Sequence, residues 1–181
     1  LLPALSKARA AAQQSYCVNN SKQLGLMMFL YAGDWDTHLP TWYEAVNGTW
    51  FQVLQNNNYL KAGGKSWYCP AIPATASHDT HTASVNYHIF ADPAPLLKAK
   101  SPSAAFLLTL DAALGGKNGT AWKDGSPYYF MHPAVLGNYN VWTGYFWDIH
   151  NNKGNMTFVD GHVGAVPDQE VNLASTYYNI A

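Results

Sequence analysis

The chain has 181 residues, a formal net charge of -1, and 12% charged against 14% aromatic residues. That length suits one domain with a real hydrophobic core, and a near-neutral chain without a Lys/Arg cluster excludes a surface built to track nucleic-acid phosphates. The charged share is about half the usual value of roughly 25%, and a surface of Asn, Gly, Thr and Tyr suits a protein working outside the cytoplasm.

Residues 4 to about 33 read as one long helix. Cys17, Asn20, Leu24, Met28 and Tyr31 recur at three- and four-residue intervals and so share a face, while the alanines at 8 and 10–12 add helix propensity. The half carrying Lys7, Arg9, Gln13 and Gln14 has only a weak apolar stripe and is expected to project beyond the globular body. The half from Leu24 to Tyr31 is nearly all apolar and should be packed on several sides. Gly33 is the expected C-cap, after which "DWDTHLP" turns the chain at Pro40.

A short second helix is expected over "TWFQVLQNNNYL", with Thr49 as N-cap and Trp50, Val53 and Leu54 on one side. Strands are expected at 84–90 and 104–111, then within "GYFWDIH" and "NMTFVDGHVGAV". Residues 115–130 read as loop, Asp160-Gly161 reads as a two-residue type I′ hairpin turn, and the tail "NLASTYYNIA" suits a short closing strand. The whole predicts an α+β fold: residues 1–34 form the long helix and residues 35–181 the globular part of a single domain, with the sheet mostly antiparallel.

Two cysteines, Cys17 and Cys69, admit one disulfide, and neither sits in a CxxC or Cys/His spacing that suggests zinc. A bridge would close roughly 50 residues of chain, worth about 4 kcal/mol in the chain-entropy model; two buried thiols are the alternative. Asn19, Asn47, Asn118 and Asn155 lie in N-x-S/T sequons. No run of about 20 apolar residues occurs, and the abrupt opening "LLPALSKARAAAQQ" reads as the continuation of a longer helix.

"LLPALSKARAAAQQSYCVNNSKQLGLMMFLYAGDWDTHLP", together with Cys69-Pro70, Asn86-Tyr87 and His150…Asp160-Gly161-His162-Val163, resembles bacterial pilin-like and pseudopilin-like proteins. These carry a prepilin-type methylation segment and a C-terminal H-X9-DG signature. The resemblance covers both ends and parts of the middle; residues 91–145 carry none of it. The family's leader glycine, first aromatic residue, nearby acidic residue and most of its membrane-spanning stretch are not in this sequence. The resemblance implies a long N-terminal helix packed on an antiparallel sheet. It implies a non-enzymatic structural subunit of a type IV pilus-like filament or type II secretion pseudopilus. Its partners would be copies of itself or related subunits and the secretion or pilus assembly machinery. It would be membrane-anchored through the absent segment, in the inner membrane before assembly and in an extracellular filament or the periplasm and cell envelope afterwards.

His150 and Asp160 invite an acid–base or metal reading, but a strand between them places their side chains on the order of 15 Å apart. The spacing suits structural work instead, with His150 fixing the turn into the strand and Asp160-Gly161 the tip; His162 remains able to meet a distant Asp. Asp34 and Asp36, followed by His38, are weak Ca²⁺ candidates, because alternate carboxylates supply oxygen donors; an Asx turn is the plain alternative. His78, Asp79 and His81 fit a solvated loop. No cofactor is implied. Tyr139, Trp142, Tyr145 and Trp147 could stack on sugar rings, which carries the alternative reading, an exported glycan- or polymer-binding module on a pilin-like scaffold. No nucleophile, base and acid cluster appears, and Cys17 has only Lys22 nearby to activate it.

Overall fold

The computed structural model describes residues 2–40, 43–44, 48–61, 69–71, 84–86, 106–109, 112–114, 130–131, 144–146 and 149–167. Helix α1 (Leu2–Asp34) is 33 residues long, about 50 Å at 1.5 Å per residue. Its buried residues are Cys17, Asn20, Ser21, Leu24, Gly25, Met28, Tyr31 and Ala32, spaced to form one face. Residues 2–12 are all exposed, so the first turns hold by alanine-rich propensity rather than by packing.

The helix does not stop at Gly33. It runs on to Asp34, and the reversal is made by Asp36 and Thr37, whose φ angles are 49° and 63°. The Thr37 N–H donates to the Ala32 carbonyl at 2.7 Å, closing the helix end. The expected glycine cap is therefore replaced by two non-glycine residues in the left-handed region, where an Asp is better tolerated than a β-branched Thr.

Strands β1 (Tyr43–Glu44) and β2 (Gly48–Thr49) pair antiparallel and lead into helix α2 (Trp50–Asn56). Gln52 Oε1 accepts from the Thr49 N–H at 2.9 Å and from the Thr49 hydroxyl at 3.3 Å. This supplies one half of a capping box. Gly48 has φ +80°, a left-handed conformation that side-chain-bearing residues adopt only under strain, and a Cβ there would also displace Gln52 Oε1. Trp50, Phe51, Val53 and Leu54 are buried with Leu24, Met28, Leu39 and Leu60 in one core between the helices.

The main sheet orders five strands as β6-β3-β4-β8-β9: β3 (Ser84–Asn86), β4 (Phe106–Thr109), β6 (Phe130–Met131), β8 (Lys153–Phe158) and β9 (Val163–Pro167). All neighbours pair antiparallel except β3 and β6. Strands β5 (Ala112–Leu114) and β7 (Gly144–Phe146) form a separate antiparallel pair. The architecture is α+β, as the pattern of elements predicts. Strands β3, β4 and β7 each fall within an expected span. Strand β5 is not among the expected strands and directly precedes the stretch 115–130 read as loop, β6 begins at the last residue of that stretch, and the proposed closing strand at the tail lies outside the described residues.

Helix α1 packs on β8, β4 and β9. Thr157 of β8 donates its hydroxyl to the Ser21 carbonyl at 3.2 Å. A Cβ on Gly25 would lie 2.7 Å from Thr157 Cγ2, so helix and strand touch backbone-close at that point.

Candidate functional site

Both ends of β8 are made by turns that the sequence flags, and the helix passes both. At the entrance, His150 and Lys153 exchange backbone hydrogen bonds of 2.9 and 3.2 Å. Asn151 and Asn152 between them have φ of 55° and 60°. Positive φ at both central positions is a type I′ turn, which asparagine tolerates because its short polar side chain relieves the left-handed penalty. At the exit, the type I′ turn expected at Asp160-Gly161 is instead a three-residue loop. The Gly161 N–H donates to the Phe158 carbonyl and the Phe158 N–H to the His162 carbonyl, both at 2.9 Å. Gly161 alone has positive φ, +87°, giving a type I turn closed by a left-handed glycine.

Asp160 holds this tip. Its Oδ1 accepts from the His162 N–H at 3.1 Å and from His162 Nδ1. The backbone bond first, and the imidazole bond second, hold the Asp160 carboxyl below the usual carboxylate range. The His162 ring stacks on Phe158 at 4.3 Å between centroids. His162 thus meets the aspartate two residues before it.

His150 turns inward. It is buried, and its Nε2 lies 3.2 Å from Cys69 Sγ. Cys17, from the buried face of α1, joins them, and the three ligand atoms all lie within 4.8 Å of one another. Cys69 is set in place by the short segment ending in Pro70, whose carbonyl accepts from Gln13 Nε2 of α1 at 3.0 Å. The expected pairing of Cys17 with Cys69 does bring the sulfurs together, but as two thiols with an imidazole, not as a disulfide. Sequence reasoning missed the trio because the residues are spread from 17 to 150 with no local metal spacing. The signal available was that each sits in its own short motif: Cys-x-Asn-Asn, Cys-Pro and His-Asn-Asn.

Polar groups continue beneath the trio. Asn20, Ser21, Asn155 and Thr157 are buried where α1 meets β8. Asn20 Nδ2 and Ser21 Oγ find no hydrogen-bond partner among the described residues, a costly arrangement for buried polar atoms.

The other sequence candidates lie apart from this site. Asp34 accepts from the Tyr59 hydroxyl at 2.7 Å, a hydrogen bond that raises the Tyr59 pKa. Asp36 is exposed in the turn after the helix. His38 Nδ1 lies 2.9 Å from the Asp36 carbonyl and 3.1 Å from that of Trp35, so it completes the turn. Among the described residues, Cys17, Cys69 and His150 are the grouping of three metal-ligating side chains. Asn155, whose sequon makes it a candidate glycosylation site, is fully buried within β8, so the folded strand withholds its amide. Asn19 is exposed on α1, whereas Asn47 and Asn118 lie outside the described residues. So do His78, Asp79, His81, Tyr139, Trp142 and Trp147; Tyr145 is the middle residue of β7, opposite Ala113. No described helix is long and apolar enough to cross a membrane.

No family model, curated protein or solved structure matches the chain.

Proposed function

We propose that the protein is a structural subunit that assembles through the outer face of α1 into a pilin-like filament or pseudopilus. One observation carries this reading. Leu5, Tyr16, Leu26 and Leu30 are exposed, the leucines by 69%, 57% and 53% of their surface. At 100° per residue these four fall on one side of the helix, opposite the face that buries Cys17, Leu24 and Met28. A helix with leucines exposed on its outer side among polar residues such as Asn19 and Gln23, and with its first turns clear of the core, is suited to burial against neighbouring helices. The sequence resemblance to pilin-like proteins supports the same reading. In this reading the partners are copies of the chain or related subunits. The anchor is an apolar segment upstream of Leu1, and the working location is the cell envelope or a filament outside it.

The test is the assembled fraction of the native full-length protein, measured by pelleting and negative-stain microscopy. Burying one Leu is worth about 1.5–3 kcal/mol, so Leu5→Asp with Leu26→Asp should weaken association by about tenfold or more. The melting temperature of the unassembled domain should stay within about 3 °C of the parent's. Assembly undiminished by both substitutions would sink the reading.

A further inference from the structure

We infer that Cys17, Cys69 and His150 form a buried Cys₂His site for a thiophilic d¹⁰ cation, Zn²⁺, that fastens α1 to the entrance of β8. The inference rests on side-chain geometry and stands whether or not the chain assembles into a filament. Three elements far apart in sequence deliver the donors: a helix face, the segment ending in Cys69-Pro70, and the first residue of a type I′ turn. Two sulfurs and one imidazole nitrogen are among the ligand types that zinc takes, at about 2.3 Å and 2.0–2.1 Å. Around a tetrahedral centre those lengths put sulfurs about 3.8 Å apart and sulfur and nitrogen about 3.6 Å apart. The structure has Cys69 Sγ and His150 Nε2 at 3.2 Å and all three ligand atoms within 4.8 Å. Closing on an ion needs adjustments of about an ångström at most, within the reach of χ rotations.

Charge balance favours the same occupant. Binding releases the two thiol protons to solvent, so that Zn²⁺, two thiolates and a neutral imidazole make a centre of zero net charge. Such a centre escapes the desolvation cost that a lone buried thiolate or imidazolium would meet. The surroundings supply a second, independent sign. Asn20 and Ser21 follow Cys17 by three and four residues, on the same helix face. Each has a buried polar atom with no partner among the described residues. Three protein ligands leave a fourth tetrahedral position, and a zinc-bound water there offers these atoms a partner, as outer-shell groups commonly provide around metal ligands.

The test uses the full chain, reduced and dialysed against Zn²⁺ alone, with bound metal measured by elemental analysis and the fold followed by circular dichroism. The expected result is about one zinc per chain. Cobalt(II) in its place should give the sulfur-to-metal charge-transfer absorption of a thiolate site. Cys17→Ser and Cys69→Ser should abolish binding. Both place a hydroxyl in the buried core and so put the fold itself at risk, which makes His150→Ala decisive. It leaves both sulfurs in place, yet should weaken zinc by more than the 10- to 100-fold that loss of an outer-shell partner costs. A parent chain that binds no zinc when reduced would overturn the inference. So would a native chain lighter by two hydrogens and metal-free, or a His150→Ala variant that binds zinc as tightly as the parent.

Discussion

Helix α1 is one element by hydrogen bonding and two by energetics. Over residues 2–12 every side chain is exposed, whereas Leu24 and Met28 are fully buried against the core and Gly25 meets Thr157. The first part is helical because alanine and the long straight-chain residues lose little on entering a helix. The second is helical because its buried face has a sheet and a second helix to pack on. The difference teaches that an unbroken helix of this length does not imply an unbroken reason for being helical. Substitutions should report which reason operates at each turn.

The largest contrast is expected between Leu24→Ala and Leu5→Ala. The first opens a cavity in a well-packed core and should destabilise the domain by about 3 kcal/mol, within the range of buried Leu→Ala changes. The second should change stability by less than about 0.5 kcal/mol. Urea titration of the unassembled protein reads both; equal losses would dissolve the distinction between the two halves.

The two glycines of α1 sharpen it within the packed half. A methyl group placed on Gly33 would meet nothing within 4 Å, so Gly33→Ala should stabilise by about 0.5–1 kcal/mol through helix propensity alone. The same change at Gly25 forces a Cβ to 2.7 Å from Thr157 Cγ2 and should destabilise by about 1–3 kcal/mol despite that gain. Thermal melts of the two single variants should move in opposite directions.

The smallest effect belongs to the exposed hairpin tip at Asp160. The Asp160 carboxyl is held below its ordinary value by the His162 N–H and imidazole. A depressed folded-state pKa contributes stability that is fully present above the unfolded value, about 4, and is lost as pH falls through the folded one. Asp160→Asn should therefore lower the melting temperature slightly at pH 7 and hardly at all at pH 2. A drop of equal size at both pH values would assign the effect to packing, not charge.

Much of this was legible from pattern alone. Cys17, Leu24, Met28 and Tyr31 announce the packed face through their spacing, and Thr49 with the apolar residues after it announces α2. The alternation of Asn155 and Thr157 with Met156 and Phe158 marks β8, although both faces of that strand prove buried. What escaped was decided by neighbours distant in sequence or by backbone geometry. Gly33 has the right chemistry for a cap, but the chain reverses three residues later through Asp36 and Thr37. Asp160-Gly161 has the right dipeptide for one turn type, yet the register of Thr157 opposite Val163 leaves room for another. The convergence of Cys17, Cys69 and His150 is not written in any local spacing, only in the three short motifs that hold them. It follows from α1 running alongside β8 in the same direction, so that Cys17 reaches the strand's entrance while Phe29 reaches Gly161 at its exit.

The notch at Gly25 has a mechanical consequence. Sliding α1 by one turn, 5.4 Å, would bring Ser21 or Phe29 opposite Thr157, and either side chain would strike the methyl that Gly25 just clears. The helix therefore has a single axial setting on the sheet. A load applied to its free end cannot be relieved by slippage and passes into β8, which is laced to β4 on one edge and β9 on the other. The free helix end and the sheet move as one lever, and its fulcrum is a missing methyl group.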